Sequence, residues 1–170
     1  MNYLAIILLF VFFAGVAMTV NEGLWSNTVS LFCVMFASML AWYWGPTLGA
    51  FVVEQAEPSA QNEWAFWFAS VWGAFFLAVT ILRIVADRSS RVRMRIIRPL
   101  DLAGGVLVGL LLAVMFTSFA AYSLFLPFRA RVWKTEEGAG WAQTTVSTFA
   151  APMYTAGRAF LGEDFPDLQQ

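Results

Sequence analysis

A chain of 170 residues that is 60% hydrophobic and only 12% charged is too apolar for a soluble domain, which runs at about 45–50% apolar and about 25% charged. The net charge of −1 points to no acidic or basic partner, so the placement of charge matters more than its sum. The sequence has no His, which removes the commonest general base and metal ligand, and its single Cys33 excludes an intramolecular disulfide or a Cys-rich zinc site.

Four stretches are long and apolar enough to predict membrane-spanning helices, at about 20 residues per crossing. The first is Asn2 to Val20, uncharged. A cleaved signal would need a basic start and a shorter apolar run, so this segment is expected to stay as a helix. Asn21 to Asn27, with Gly23, reads as a short polar link. The second span runs from about Thr28 to Val53, also uncharged. It carries Ala37, Ala41, Gly45 and Gly49 one turn apart, the spacing that lets membrane helices approach closely. Pro46 is expected to bend or end it. Trp42, Tyr43 and Trp44 fit an aromatic belt at headgroup level better than an aromatic cage for a cation.

Glu54 to Glu63 is an acidic turn with Pro58. The third span, Trp64 to about Ala86, carries Arg83 near its end, placed to snorkel. Ala65, Ala69 and Gly73 form one small-residue stripe, and Ser70, Ala74 and Ala78 form another. Such stripes serve packing within the chain or a dimer face. Asp87 to Leu100 holds Arg88, Arg91, Arg93, Arg95 and Arg98. Its helical and extended periods conflict, so it reads as a positive-inside determinant touching lipid headgroups rather than a nucleic-acid site.

The fourth span runs from about Leu102 to Phe128, with Asp101 as the expected N-cap and Gly105 and Gly109 as a GxxxG packing face. Arg129, Arg131 and Lys134 follow. In the tail, Val146, Phe149, Met153, Ala156 and Phe160 recur at helical steps around Pro152, which predicts an interfacial or docked amphipathic helix over 141–161. The expected architecture is an all-α integral membrane protein. Residues 1–128 form a four-helix transmembrane domain, and residues 129–170 a loosely attached C-terminal tail.

No P-loop, nucleophile elbow, zinc motif or mid-membrane carboxylate pair occurs in the sequence. No enzymatic activity, cofactor or small-molecule substrate is therefore expected. The expected partners are the lipid bilayer and either a second copy of the chain or another membrane protein.

Two segments resemble the colicin V production protein (CvpA) family of bacterial inner-membrane proteins. Asp101, Gly105 and Gly109 match the start of that family's last membrane helix, with Ala113 where a third Gly is usual and Leu112 where an Arg is often found. Gly23, Leu24, Ser30 and Leu31 match the family's first connection, while Ser26 and Asn27 stand where an Arg-Glu pair would be. Trp141 after the last span is also similar. The resemblance implies a small polytopic protein linked to colicin V production or export and to envelope homeostasis. The reading is then an accessory or scaffold protein. The rivals are a small channel or transporter subunit, and a subunit of a larger membrane complex. Five Arg in the 87–100 connection against Arg129, Arg131 and Lys134 on the opposite side place both termini outside the cytoplasm.

Overall fold

The computed structural model describes residues 3–59, 62–89, 97–128 and 140–165. Arg91, Arg93 and Arg95, the cluster Arg129, Arg131 and Lys134, and the side chain of Trp141 lie outside the described residues. Among the described residues the chain is all-helical: α1 (Tyr3–Thr19), α2 (Leu24–Ala56), α3 (Glu63–Ser89), α4 (Arg98–Phe128), α5 (Gly140–Leu161) and a 3-10 turn over Gly162–Asp164.

Three of these helices, α2, α3 and α4, are long and apolar enough to cross a membrane. This makes the chain a multi-pass membrane protein by length and composition. The first helix differs. It has 17 residues, so it rises only about 25 Å, against a hydrocarbon core of about 30 Å. By contrast α2, at 33 residues, extends about 50 Å and outreaches the core.

Two sequence expectations about helix ends are corrected. Pro46 does not end α2, which runs on to Ala56 and closes at Glu57 in the left-handed conformation (φ 42°). The Glu57 N–H is bonded to the Val53 carbonyl. Asn27 belongs to α2 rather than to the link, and it is buried.

The four long-axis helices α1 to α4 alternate in direction. The ends of α1 and α3 therefore meet the starts of α2 and α4 at one end of the bundle. α2 packs along α3, where small residues make room: a Cβ on Gly45 would lie 3.1 Å from the Val71 Cα, and one on Gly49 would strike the Trp67 ring. α1, α2 and α5 all pack on α4. The central core joins Val34, Ala37 and Ala41 of α2 with Val71 and Phe75 of α3 and Leu112 and Phe119 of α4. The Phe75 and Phe119 rings stack with centroids 4.3 Å apart.

α5 is docked on the bundle rather than loosely attached. Its buried face is Val146, Ala150, Met153 and Gly157, while Phe160 of the expected stripe is exposed. Pro152 leaves the ladder short of a donor, and the buried Ser118 of α4 bonds to the α5 backbone on both sides of it. Its hydroxyl donates to the Ala150 carbonyl at 3.0 Å and accepts the Met153 N–H at 2.8 Å. Beyond α5, Phe165 folds back beside Trp42 and Tyr122 and is 3% exposed. Gly157 gives it room, since a Cβ there would lie 2.5 Å from the ring.

Candidate functional site

At the end where α1 stops and α2 begins, the backbone changes direction within a few residues. Gly23 is the N-cap of α2 but offers no side-chain cap. The first N–H groups of a helix need a partner, and an unpaired one is costly in an apolar surrounding. The partner comes from α4. Asp101 Oδ1 accepts the Leu24 N–H at 2.8 Å. This corrects the expectation that Asp101 caps its own helix: α4 starts at Arg98, so Asp101 sits in its first turn. One carboxylate thus lies near the N-termini of two helices, α2 and α4, where the dipole of each favours negative charge.

Three residues on, Asn27 is 1% exposed and points into the α1–α2–α4 junction. Its amide donates to the Gly105 carbonyl at 2.8 Å and to the Thr19 carbonyl at 3.0 Å. The Thr19 hydroxyl reaches the Gly15 carbonyl at 3.0 Å on its own helix and the Gly109 carbonyl at 3.3 Å across the interface. These bonds require backbones in close approach. A Cβ on Gly105 would lie 3.0 Å from the Glu22 carbonyl oxygen and 3.2 Å from the Leu24 nitrogen, both backbone atoms. A Cβ on Gly109 would lie 2.9 Å from Thr19 Oγ1 and 3.1 Å from Asn27 Nδ2. One turn further, a Cβ on Gly15 would lie 3.2 Å from the Ala113 Cβ, so Ala113 still permits close packing.

Ser30 lies one turn beyond Ser26 on α2, and both serve the same cation. Arg83 of α3 donates through one terminal nitrogen to Ser30 Oγ and through the other to Ser26 Oγ at 3.2 Å. Its Nε faces Asp87 at 3.3 Å. Arg83 therefore does not simply snorkel away from the bundle. It ties the end of α3 to the start of α2. The residues standing in place of the expected Arg-Glu pair, Ser26 and Asn27, are both engaged: Ser26 receives a charge from another helix, and Asn27 bonds two backbones.

The other residues singled out in the sequence scatter. Ala41 is buried in the α2 core and Gly45 packs on Val71. Ala69 and Gly73 lie on the exposed side of α3, and a Cβ on Gly73 would meet nothing within 4 Å. Among the described residues, these two take no part in packing within the chain. Arg88 and Arg98 are exposed at the junction end. Asn27 was missed as a site residue because it was assigned to a polar link. The signal that could have found it is its place in the first turn after Gly23-Leu24, facing an otherwise uncharged apolar helix.

The junction is a clasp built from residues 15–30 on one side and 101–113 on the other. Its chemistry is that of a structural joint: Asp101, Asn27, Thr19, Ser26 and Ser30 are directed at backbone groups or at the Arg83 guanidinium. The two segments that it joins are those with family-like motifs. Comparison with protein families gives a match to the model described as colicin V production protein, over residues 4–155. No curated protein and no solved structure matches the chain. The family match takes in both sides of the clasp and nearly the whole of the chain, which belongs to the colicin V production protein family.

Proposed function

We propose that the protein is an accessory or scaffold protein of a bacterial inner membrane, serving secretion of the colicin V production type or envelope homeostasis. The observation that carries this reading is the clasp. Its polar groups are spent on holding helices together, and the charged side chains of α2, α3 and α4 stand near helix ends. Such a body suits holding a neighbour in place better than moving a solute. Family membership supports the link to colicin V production. The test is affinity purification of the tagged chain from its own membrane. Co-purification of secretion or envelope components supports the reading, and a solute flux reconstituted from the chain alone contradicts it.

A second reading, as a subunit of a larger membrane assembly, has one observation in its favour. The small-residue face at Ala69 and Gly73 is exposed on α3, open to a second helix. Native mass spectrometry in mild detergent separates a monomeric scaffold from a homo-oligomer or a subunit of a complex.

The proposed topology has four crossings, with α1 included, and the clasp end in the cytoplasm. The Arg-rich connection after α3 favours that side, and both termini then lie outside. In a Cys33→Ser background, Cys at Ser59 should react with an impermeant maleimide in intact cells, and Cys at Ser89 only after lysis. The reverse pattern overturns the orientation.

A further inference from the structure

Beyond the scaffold reading, the bundle carries a groove of about 400 Å³ that none of the described residues fills. Ala14 and Met18 of α1 form one wall, Phe76 and Val79 of α3 the other, and Val34 and Leu112 lie between them. The volume is within the range of ligand sites, about 300–1,000 Å³. The lining is apolar, and its outer lip is open: Met18 is 79% and Phe76 57% exposed. In a bilayer such an opening faces acyl chains.

One end of this groove is marked by charge. Val79 lines the wall on α3, and Arg83 stands one turn beyond it; Val34 lies between the walls on α2, and Ser30 stands one turn before it. The pair Arg83–Ser30 therefore stands one turn past the groove lining, toward the clasp end. Arg83 is held by Ser30, Ser26 and Asp87, yet its side chain is still 38% exposed. A guanidinium has five N–H donors. Among the described residues those three partners engage three of them. Two remain to donate to an anion such as phosphate. Arg88, five residues along, adds a second exposed cation at this end. Asp87 partly offsets Arg83, which favours a singly charged headgroup over a polyanion.

We propose that the groove between α1 and α3 binds an anionic diacyl phospholipid, an acyl chain lying against Ala14 and Val79 and the phosphate on Arg83. The charge at the mouth distinguishes this occupant from a neutral lipid that merely wets the groove. The site is independent of the scaffold reading, because it requires only the groove and its cation.

The experiment is native mass spectrometry of the full chain released from nanodiscs of equal phosphatidylglycerol and phosphatidylcholine. Wild type should retain a single phosphatidylglycerol in preference to phosphatidylcholine. Arg83→Gln should lower that preference about tenfold, the scale of one charge-assisted hydrogen bond, and Arg83→Lys should keep most of it. Ala14→Trp, on the α1 wall and away from the Arg83 contacts, should shed both lipids by filling the groove. It keeps the test decisive should Arg83→Gln fail to fold. Equal retention of the two lipids by wild type, or retention unchanged in Ala14→Trp, overturns the proposal.

Discussion

The two ends of the bundle differ in what dominates their contacts, although Ser118 also bonds to the α5 backbone toward the far end. At the clasp end, Asp101, Asn27 and Thr19 bond directly to the backbones of neighbouring helices. At the far end, Trp42, Tyr122 and Phe165 pack ring against ring, with Leu8 and Ala150 around them. The Tyr122 and Phe165 rings stack with centroids 5.8 Å apart. The difference teaches where sequence tolerance lies. Aromatic packing accepts substitutes of similar volume, because dispersion is non-directional. A hydrogen bond to a neighbouring backbone needs one donor at one distance, and a glycine to allow that distance.

The comparison can be broken by mutation. The largest effect is expected from Gly105→Leu. Its side chain would meet the Glu22 and Leu24 backbone, which cannot swing aside as a side chain can, so the cost should reach or exceed about 3 kcal/mol. Loss of monodisperse protein in detergent is the readout, and wild-type behaviour would show that the interface opens freely. Next is Phe165→Ala, expected to cost about 3 kcal/mol as a buried ring is lost. Phe165→Leu should recover much of this, and a thermal melt in detergent compares the two. Asn27→Leu keeps the branched shape, with bulkier methyls, but removes both backbone bonds, so it should cost about 1–2 kcal/mol or more. Equal melting temperatures for Asn27→Leu and wild type would show that the clasp contributes packing alone. Smallest is Gly73→Ala, which meets no neighbour and should be neutral or stabilising by less than about 1 kcal/mol through helix propensity. A clear loss of oligomer in that variant would instead mark Gly73 as a contact between chains.

Much of this fold was legible in the sequence. The apolar runs lie within a few residues of α1, α2 and α3, and the tail helix was anticipated over 141–161 where α5 runs from Gly140 to Leu161. The misplacements share a cause. In water, apolar residues mark the inward face; in lipid they mark neither face, because lipid tails are as apolar as a core. Ala69 and Gly73 have the same spacing as Ala41 and Gly45, yet one pair is exposed and the other buried. Four-residue spacing reveals a flat helix face but not its neighbour. Asp101 was placed at its own helix start by the usual capping rule, whereas its partner lies 77 residues away in sequence. Phe165, in an acidic terminal stretch, carried no periodic signal at all. The first helix stands apart from the other three for a related reason: α1 falls below the length of a typical span while remaining uncharged and largely apolar.

The central claim is that Asp101 caps a helix other than its own and so fixes the start of α2. Amide hydrogen exchange at Leu24, measured in detergent micelles, tests it most directly. In wild type the Leu24 N–H should be protected, although first-turn amides have no partner within their own helix. In Asp101→Ala its exchange should rise by about tenfold or more, the equivalent of one bond to a charged acceptor, while amides around Gly73 stay unchanged. Fast exchange of Leu24 already in wild type, or protection that survives Asp101→Ala, would contradict the account.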